Sequence, residues 1–186
     1  MGILNTVLFI VIIGFNNNPE KEIKINRYIN DYKELAVIEM YRSGIPASIT
    51  LAQALHESQY GSSDLAVNAN NHFGIKCKSY WEGSRYHHRD DDYDKNGVLI
   101  KSCFRAYENV YDSYIDHSNF LMNTKHYQGL FKLDRSDYES WARGLQMSGY
   151  ATDPNYAKKL IRYIEKYNLD KFDRAENPFI RLKSLD

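Results

Sequence analysis

The apolar residues of this chain recur mostly at a helical spacing. Between residues 26 and 41 they fall three or four positions apart, which predicts an amphipathic helix that ends before Gly44. Residues 46–60 are mostly apolar, with Ile49, Leu51, Ala52, Ala54 and Leu55, which predicts a largely buried helix with Pro46 in its first turn and Gly61 at its end. The same spacing predicts further helices at 62–68, 111–123, 136–147 and, with Asp153 as the N-cap, 153–167.

Two segments have the character of strands instead. Residues 86–93 and 98–107 flank the dipeptide Asn96-Gly97, which is the strongest short signal for a two-residue hairpin turn. One hairpin inserted among helices predicts an α+β fold, with a mainly helical domain and a β-hairpin lobe. Trp141, inside the predicted helix 136–147, is expected in the core.

Length and charge narrow the classes of protein. A chain of 186 residues is long enough for one domain with a sizeable core, which we place at 26–170, with a polar tail at 171–186. The 24 basic and 24 acidic residues give a net charge of zero, and no basic stripe is present. This balance argues against a nucleic-acid partner.

The N-terminus is apolar over residues 1–15, followed by a polar linker at 16–25. The apolar stretch is shorter than the roughly 20 residues of a membrane span, so no stable span is predicted. It has the length of a signal-peptide core, although no Lys or Arg precedes it and no clear cleavage site follows. We interpret it as an export signal, which predicts a periplasmic or cell-envelope protein; an ordinary buried segment is the alternative.

The only two cysteines, Cys77 and Cys103, lie on either side of the predicted hairpin. In an exported protein such a pair suggests a disulfide. Closing a loop of about 27 residues stabilises a fold by about 3.5 kcal/mol in the chain-entropy model. Two reduced thiols on neighbouring strands are the alternative.

Glu57 is the candidate for chemistry, because it ends an otherwise apolar helix. A negative charge beside the free carbonyls of a helix end is disfavoured by about 0.3–1 kcal/mol, and partial burial also raises a carboxyl pKa. A carboxylic acid that is protonated near neutral pH is what general acid catalysis requires. The alternatives are a solvated surface residue or a zinc-protease helix, and the latter fails because Tyr60 stands where a second His is needed.

Short motifs follow one another in a fixed order along the chain: SGIP (43–46), LAQA (51–54), ES (57–58), NN (70–71), FGIK (73–76) and GYATDP (149–154). In this order they resemble the bacterial glucosaminidases of glycoside hydrolase family 73, which include flagellum-associated peptidoglycan hydrolases. The resemblance covers about residues 26–167. It departs from the family pattern at His56, where an apolar residue is usual, and at Tyr60, where Trp is common.

The resemblance implies a lysozyme-like fold in which the hairpin lobe faces a helical lobe across a groove. It implies a peptidoglycan hydrolase that cleaves the β-1,4 bond after N-acetylglucosamine, with Glu57 as the general acid. The expected partner is the peptidoglycan glycan strand, the expected state is a monomer, and neither a cofactor nor a metal is expected.

The second catalytic group is less well defined. The family places a carboxylate on the hairpin, and the matching position here is Asp92, beside Asp90 and Asp91. Strand alternation puts Asp90 and Asp92 on one face, and a two-residue turn puts Asp92 opposite Lys101. The alternatives are an Asp92–Lys101 ion pair, a metal site with His87 and His88, or assistance by the substrate's N-acetyl group.

The resemblance also implies residues that contact substrate. Tyr150 matches the family tyrosine near the scissile bond and joins Glu57 and Asp92 as a candidate catalytic residue. The candidate substrate-binding residues are Tyr60, Asn71, Phe73, Trp81 and Asp90.

Two other functions remain open at this point. A non-catalytic glycan-binding module is suggested by the run of aspartates where the family has a single Glu. A lytic transglycosylase on the same fold also relies on one Glu.

Overall fold

The computed structural model of the chain describes residues 18–93 and 95–183. For residues 90–93 and 181–183 it describes the backbone only. The predicted export signal, at 1–15, therefore lies outside the described residues. Within them, no helix combines the length and the apolar character that crossing a membrane requires.

The described part of the chain forms helices and one β-hairpin, which is inserted among the helices. The helices are α1 Pro19–Ser43, α2 Ala47–Glu57, α3 Asp64–Ala69, α4 Val110–Asn123, α5 Tyr138–Met147, α6 Tyr156–Tyr167 and α7 Pro178–Lys183. Short 3-10 turns occupy Lys125–Tyr127, Leu130–Lys132 and Leu169–Arg174. This arrangement confirms the predicted α+β class.

The hairpin consists of β1 Arg85–Tyr93 and β2 Leu99–Arg105, which pair antiparallel. The predicted opposition of Asp92 and Lys101 is wrong, because Lys101 pairs with Arg89 and the register shifts before Tyr93 pairs with Leu99. The physical reason is a bulge, in which four steps along β1 span two along β2. Such an irregularity interrupts the regular alternation of faces.

Helix α1 begins earlier than predicted, so the expected linker at 16–25 is wrong from Pro19 onwards. Asn18 caps the helix by accepting from the backbone N–H of Glu20 at 3.1 Å, and Pro19 takes the first helical position. Ile25 is fully buried. The helix ends at Gly44, whose left-handed φ of 86° lets its N–H bond to the carbonyl of Met40.

Helix α2 lies at the centre of the core, as its apolar sequence predicts. Every residue from Ala47 to Leu55 is buried. The helix contacts α1, α5, α6 and the Leu169–Arg174 turn. Trp141 on α5 is 1% exposed and belongs to the same core, as expected. Because α2 is held on several sides, the position of its last residue, Glu57, is fixed by the core.

The segment expected to be a polar tail, 171–186, packs against the core at its start, where Phe172 and Ala175 are partly buried against the core. Asp173 is buried and accepts from the backbone N–H of Ser48 at 2.8 Å and from its hydroxyl at 2.6 Å. Pro46 at the start of α2 provides no side-chain cap, so Asp173 satisfies one of the free N–H groups there. Burial raises the pKa of the Asp173 carboxyl to about 6.

Helix α6 is capped differently from the prediction. Its N-cap is Asn155 rather than Asp153, and the helix begins at Tyr156. Asp153 instead accepts from the backbone N–H of Asn155 at 2.9 Å and forms an ion pair with Lys159 at 2.6 Å.

The predicted disulfide between Cys77 and Cys103 is present, with a Cα–Cα distance of 5.3 Å. It ties the segment after the FGIK motif to β2. The N–H of Cys77 bonds to the carbonyl of Cys103 at 2.8 Å, and the N–H of Arg105 bonds to the carbonyl of Ile75 at 3.0 Å. Residues 75–77 are therefore held beside β2, at the base of the hairpin, by backbone hydrogen bonds and the disulfide.

Candidate active site

Glu57 lies at the C-terminal end of α2 and lines a cleft of about 430 Å³. The helix, predicted to reach residue 60, ends here because Gln59, Tyr60 and Gly61 all adopt left-handed φ values, of 49°, 61° and 78°. Ser58 stabilises this turn by donating its hydroxyl to the carbonyl of Ala54 at 2.6 Å and accepting from the N–H of Gly61 at 2.8 Å. The chain turns away at once and leaves the Glu57 carboxyl at the cleft.

The electrostatic environment of Glu57 favours the protonated acid. Burial raises the pKa of its carboxyl from 4.5 to about 7. The hydroxyl of Tyr156, which donates to Oε1 at 3.0 Å, and the charge of Lys159 both lower the pKa and offset part of this effect. The direction predicted from the sequence is confirmed, and near neutral pH the group is divided between acid and carboxylate.

Tyr156 is a residue of the site that the sequence reasoning missed. Its hydroxyl donates to Glu57 and accepts from the amide nitrogen of Gln53 at 3.0 Å, so the three side chains form a buried chain of hydrogen bonds. Two signals pointed to it. Gln53 is a buried polar residue four positions before Glu57 on a mostly apolar helix, and Tyr156 follows the GYATDP motif by two residues. These two hydrogen bonds hold the Glu57 carboxyl in one orientation.

Tyr150 lines the same cleft as Glu57, as expected. Its ring stacks on that of Tyr156, with centroids 5.6 Å apart and planes 20° from parallel. Burial and the nearby Glu57 charge raise the pKa of the Tyr150 hydroxyl well above its ordinary value. The hydroxyl is therefore neutral, and it can donate a hydrogen bond inside the cleft.

Phe73 and Asn71 occupy the wall of the cleft in different ways. Phe73 lines it but is only 3% exposed, and its ring stacks on His117 at 4.0 Å. Asn71 is buried, and its amide nitrogen donates to the carbonyls of Ile75 and Arg105 at 3.0 and 2.8 Å. The amide oxygen of Asn71 accepts from the N–H of Ile75 at 3.1 Å. The polar atoms of Asn71 therefore hold the backbone behind the cleft wall, and its contact with substrate stays a prediction.

Tyr60 is engaged away from the cleft. Its hydroxyl bonds to that of Tyr163 on α6 at 3.2 Å, and the ammonium of Lys21 lies 5.4 Å from its ring centroid. The left-handed turn after Glu57 directs Tyr60 to this side. The expected sugar contact of Tyr60 is therefore not supported.

Trp81 also packs away from the cleft. Its indole N–H donates to the carbonyl of Ser84 at 2.9 Å, and the guanidinium of Arg105 lies 4.6 Å from its ring centroid. The expected sugar contact of Trp81 stays a prediction, whereas the neighbouring Tyr80 lines the cleft and is 67% exposed. Arg105 also holds this ring, by donating to the Tyr80 hydroxyl at 3.3 Å.

The cleft separates the segment before the hairpin from the helical lobe. One wall comes from residues 73–80, and the other from the end of α4, the turn after it and residues 149–151. Besides Glu57, Phe73, Tyr80 and Tyr150, the cleft is lined by Gly74, Ile75, Lys76, Lys78, Phe120, Thr124, His126, Tyr127, Gly149 and Ala151. It is an open trough between the helical lobe and the segment just before the hairpin, and no described side chain of β1 or β2 lines it.

The side chains of Asp90, Asp91 and Asp92 lie outside the described residues, so their roles remain predictions. Their backbone belongs to β1, within the bulge between Arg89 and Tyr93. In the part of the chain whose side chains are described, no three His, Cys, Asp or Glu residues come together as ligands for a metal ion.

Comparison with known proteins gives consistent matches. The family model for mannosyl-glycoprotein endo-beta-N-acetylglucosaminidase matches residues 33–169. The exo-glucosaminidase LytG of Bacillus subtilis is 40% identical over 145 residues, which are 75% of this chain and 49% of LytG. The peptidoglycan hydrolase FlgJ of Vibrio parahaemolyticus is 31% identical over 155 residues, which are 81% of this chain and 50% of FlgJ. The chain spans about half the length of the curated relatives it matches.

A solved structure has the same fold. The catalytic domain of the autolysin Auto from Listeria monocytogenes matches with a TM-score of 0.71 and 24% identity, and the match covers 90% of this chain and 99% of that one. At this identity the likeness concerns the fold alone. It confirms the predicted lysozyme-like arrangement of helices and hairpin.

Proposed function

Because the chain belongs to the mannosyl-glycoprotein endo-beta-N-acetylglucosaminidase family, as its motifs indicated, we propose that it is a glycoside hydrolase acting on peptidoglycan. The proposed reaction is hydrolysis of the β-1,4 bond after N-acetylglucosamine in the glycan strand. The names of two relatives, an exo-glucosaminidase and a peptidoglycan hydrolase, support this substrate. The observation that carries the proposal is the carboxyl of Glu57, which lines an open cleft with a pKa raised to about 7.

The proposed chemical step begins with the proton of Glu57. The protonated carboxyl transfers its proton to the bridging glycosidic oxygen while the bond from that oxygen to the anomeric carbon breaks. The leaving sugar departs as a neutral alcohol, and positive charge develops on the sugar ring that remains. Water then adds to the anomeric carbon, and its proton passes to a carboxylate, either the ionised Glu57 or the proposed base Asp92. The bond is then hydrolysed, and proton transfer to Glu57, directly or through solvent, restores the acid.

Two tyrosines support this step in different ways. Tyr156 is a positioning residue, because its hydroxyl bonds to Glu57 and is itself held by Gln53. Tyr150 lies in the cleft with a neutral hydroxyl, and we assign it a hydrogen bond to the substrate or to the attacking water. The exposed ring of Tyr80 provides a flat apolar surface for a sugar.

For the second group we propose Asp92, either as a base toward water or as a stabiliser of the charge on the sugar. Asp90 is proposed as a substrate contact, and the N-acetyl group of the substrate is the alternative to Asp92. Replacing Asp92 by Asn separates these cases, with Asp91→Asn as the matched control. A fall in kcat of about 100-fold or more for D92N alone supports Asp92, and unchanged kcat favours the N-acetyl group.

The test of the function is digestion of purified peptidoglycan, followed by mass spectrometry of the soluble products. We expect fragments that end in reducing N-acetylglucosamine from the wild type and none from Glu57→Gln. Anhydro-sugar ends would identify a lytic transglycosylase instead. Retention of the protein on the glycan without any product would identify a binding module.

We also propose that the protein is exported to the periplasm or cell envelope and acts there as a monomer. The Cys77–Cys103 disulfide supports an oxidising compartment. Cell fractionation with thiol labelling checks the location, and light scattering of the purified protein checks the mass. A reduced Cys77 in cells would contradict the proposed location.

A further inference from the structure

A second cavity, of about 520 Å³, lies between the start of α1 and one face of α6. No residue lines both this cavity and the cleft that contains Glu57. Its polar lining comes mainly from charged side chains, namely Lys21, Glu22, Lys159, Arg162 and Lys166, and we call it the basic cavity.

The basic cavity holds more positive than negative charge. Lys166 pairs with Glu22 at 2.5 Å, and Lys159 pairs with Asp153 at 2.6 Å. Within the described part of the chain, Lys21 and Arg162 form no ion pair, although Lys21 also lies near Glu22 and over the ring of Tyr60. The four cations that line the cavity therefore face two carboxylates, those of Glu22 and Asp153, which leaves an excess of two positive charges. Because the whole chain has a net charge of zero, this excess is a local feature of the cavity. A concave surface lined by one sign of charge concentrates its field on a ligand of the opposite sign.

The cations are arranged in a row. Lys159, Arg162 and Lys166 follow one another at spacings of three and four residues, so they share one face of α6 and lie about 4.5 and 6 Å apart along its axis. Lys21 reaches the same cavity from α1. Such a row suits a chain with repeated negative groups better than a single small anion.

We propose that the basic cavity binds phosphodiester groups of an anionic cell-wall polymer. Arg162 offers a planar fork of donors and Lys21 a point charge, and both bind phosphate oxygens well. The cavity is in the volume range that holds an extended ligand rather than one phosphate. The wall location of the polymer rests on the proposed function, whereas the anion site rests on the cavity itself.

The basic cavity lies next to the cleft that contains Glu57, so binding of a polymer there would affect the access of the cleft to glycan strands. His56, which lines the basic cavity, directly precedes Glu57, which lines the cleft. A polymer held at the basic cavity therefore keeps the cleft close to the wall, which raises the local concentration of glycan strands.

The test measures binding of a soluble poly(glycerol phosphate) by calorimetry, at low salt and in the Glu57→Gln background, so that hydrolysis plays no part. The double variant Lys21→Gln/Arg162→Gln removes the two unpaired cations. The matched control, Arg27→Gln/Lys132→Gln, removes the same charge from exposed positions that do not line the cavity. We expect the cavity variant to weaken binding by about tenfold or more and the control to change it less than twofold.

Three outcomes overturn the proposal. The first is absence of binding, and the second is an equal loss in the cavity and control variants, which would mean that the charge acts non-specifically. The third is equal affinity for inorganic phosphate and for the polymer at the same phosphate concentration. Failure of the proposed hydrolysis is seen separately, in the digestion of peptidoglycan by the wild type, and leaves this binding result unchanged.

Discussion

Replacing Glu57 by Gln is expected to stabilise the protein at alkaline pH. Glutamine cannot ionise, and its side-chain oxygen can still accept the hydroxyl of Tyr156. In the wild type the native state holds the proton of Glu57 up to about pH 7, whereas the unfolded chain releases it near 4.5. The folded state therefore binds more protons between these values, so its free energy of unfolding falls as the pH rises through this window.

The size of this effect follows from the two pKa values. Each pH unit corresponds to about 1.4 kcal/mol, so the interval from 4.5 to about 7 corresponds to about 3 kcal/mol. For a chain of this length, 1 kcal/mol moves the melting temperature by about 2–4 °C. Glu57→Gln should therefore melt about 6–12 °C above the wild type at pH 8 and close to it at pH 4.

Differential scanning calorimetry at pH 4, 6 and 8 measures this difference. Glu165→Gln is the matched control, since it removes the same ionisable group from an exposed position on α6. Taking the difference between variant and wild type cancels the contribution of the other buried carboxyl, Asp173. Equal melting temperatures of Glu57→Gln and the wild type at both pH 4 and pH 8 would refute the reasoning, because Glu57 would then ionise without penalty.

Three further predictions concern groups around the site. Tyr156→Phe removes a hydrogen bond that favours the ionised Glu57, so the basic limb of the kcat/KM profile should move to higher pH; a move to lower pH would contradict this role. Asn71→Ala leaves several backbone groups unpaired and should lower the free energy of unfolding in urea by about 3 kcal/mol, and a loss below about 1 kcal/mol would show that the wall is held otherwise. Asp173→Ala removes the cap on Ser48 and should lower thermal stability at pH 7 by about 1–2 kcal/mol, whereas no change would leave the tail without a structural role.

The order of helices and the hairpin followed from local patterns in the sequence. The apolar run of α2 and the Asn96-Gly97 pair are strong local signals, and both α2 and the hairpin are present. The predicted two-residue turn is wrong, because Tyr93 pairs with Leu99 and residues 94–98 lie between the strands. The early start of α1 also has a local signal in the sequence, because Asn is a common N-cap residue and Pro a common first residue of a helix, and these are Asn18 and Pro19 here. It was missed because the charged residues that follow resemble a linker.

Other features depend on contacts that no local pattern contains. The carboxylate of Asp173 accepts from the N–H of Ser48 across 125 residues of sequence, so no local pattern near either residue predicts this hydrogen bond. Tyr60 leaves the cleft because it adopts a left-handed φ, which is uncommon for a residue other than glycine. The bulge in β1 shifts the register, and alternation alone cannot locate such an insertion.

For the candidate site, the sequence identified Glu57 and Tyr150 but not the network behind them. The motif resemblance placed both residues, and the structure brings them into one cleft. Gln53 and Tyr156 come from different helices, so their hydrogen bond emerges only when α2 packs against α6.

The most direct measurement is a titration of the Glu57 carboxyl carbon by 13C NMR, assigned by comparing the wild type with Glu57→Gln. The account predicts a midpoint at about pH 7 in the free protein, matching the basic limb of the kcat/KM profile on peptidoglycan. A midpoint near the ordinary 4.5 would contradict it, because Glu57 would then hold no proton to donate at neutral pH.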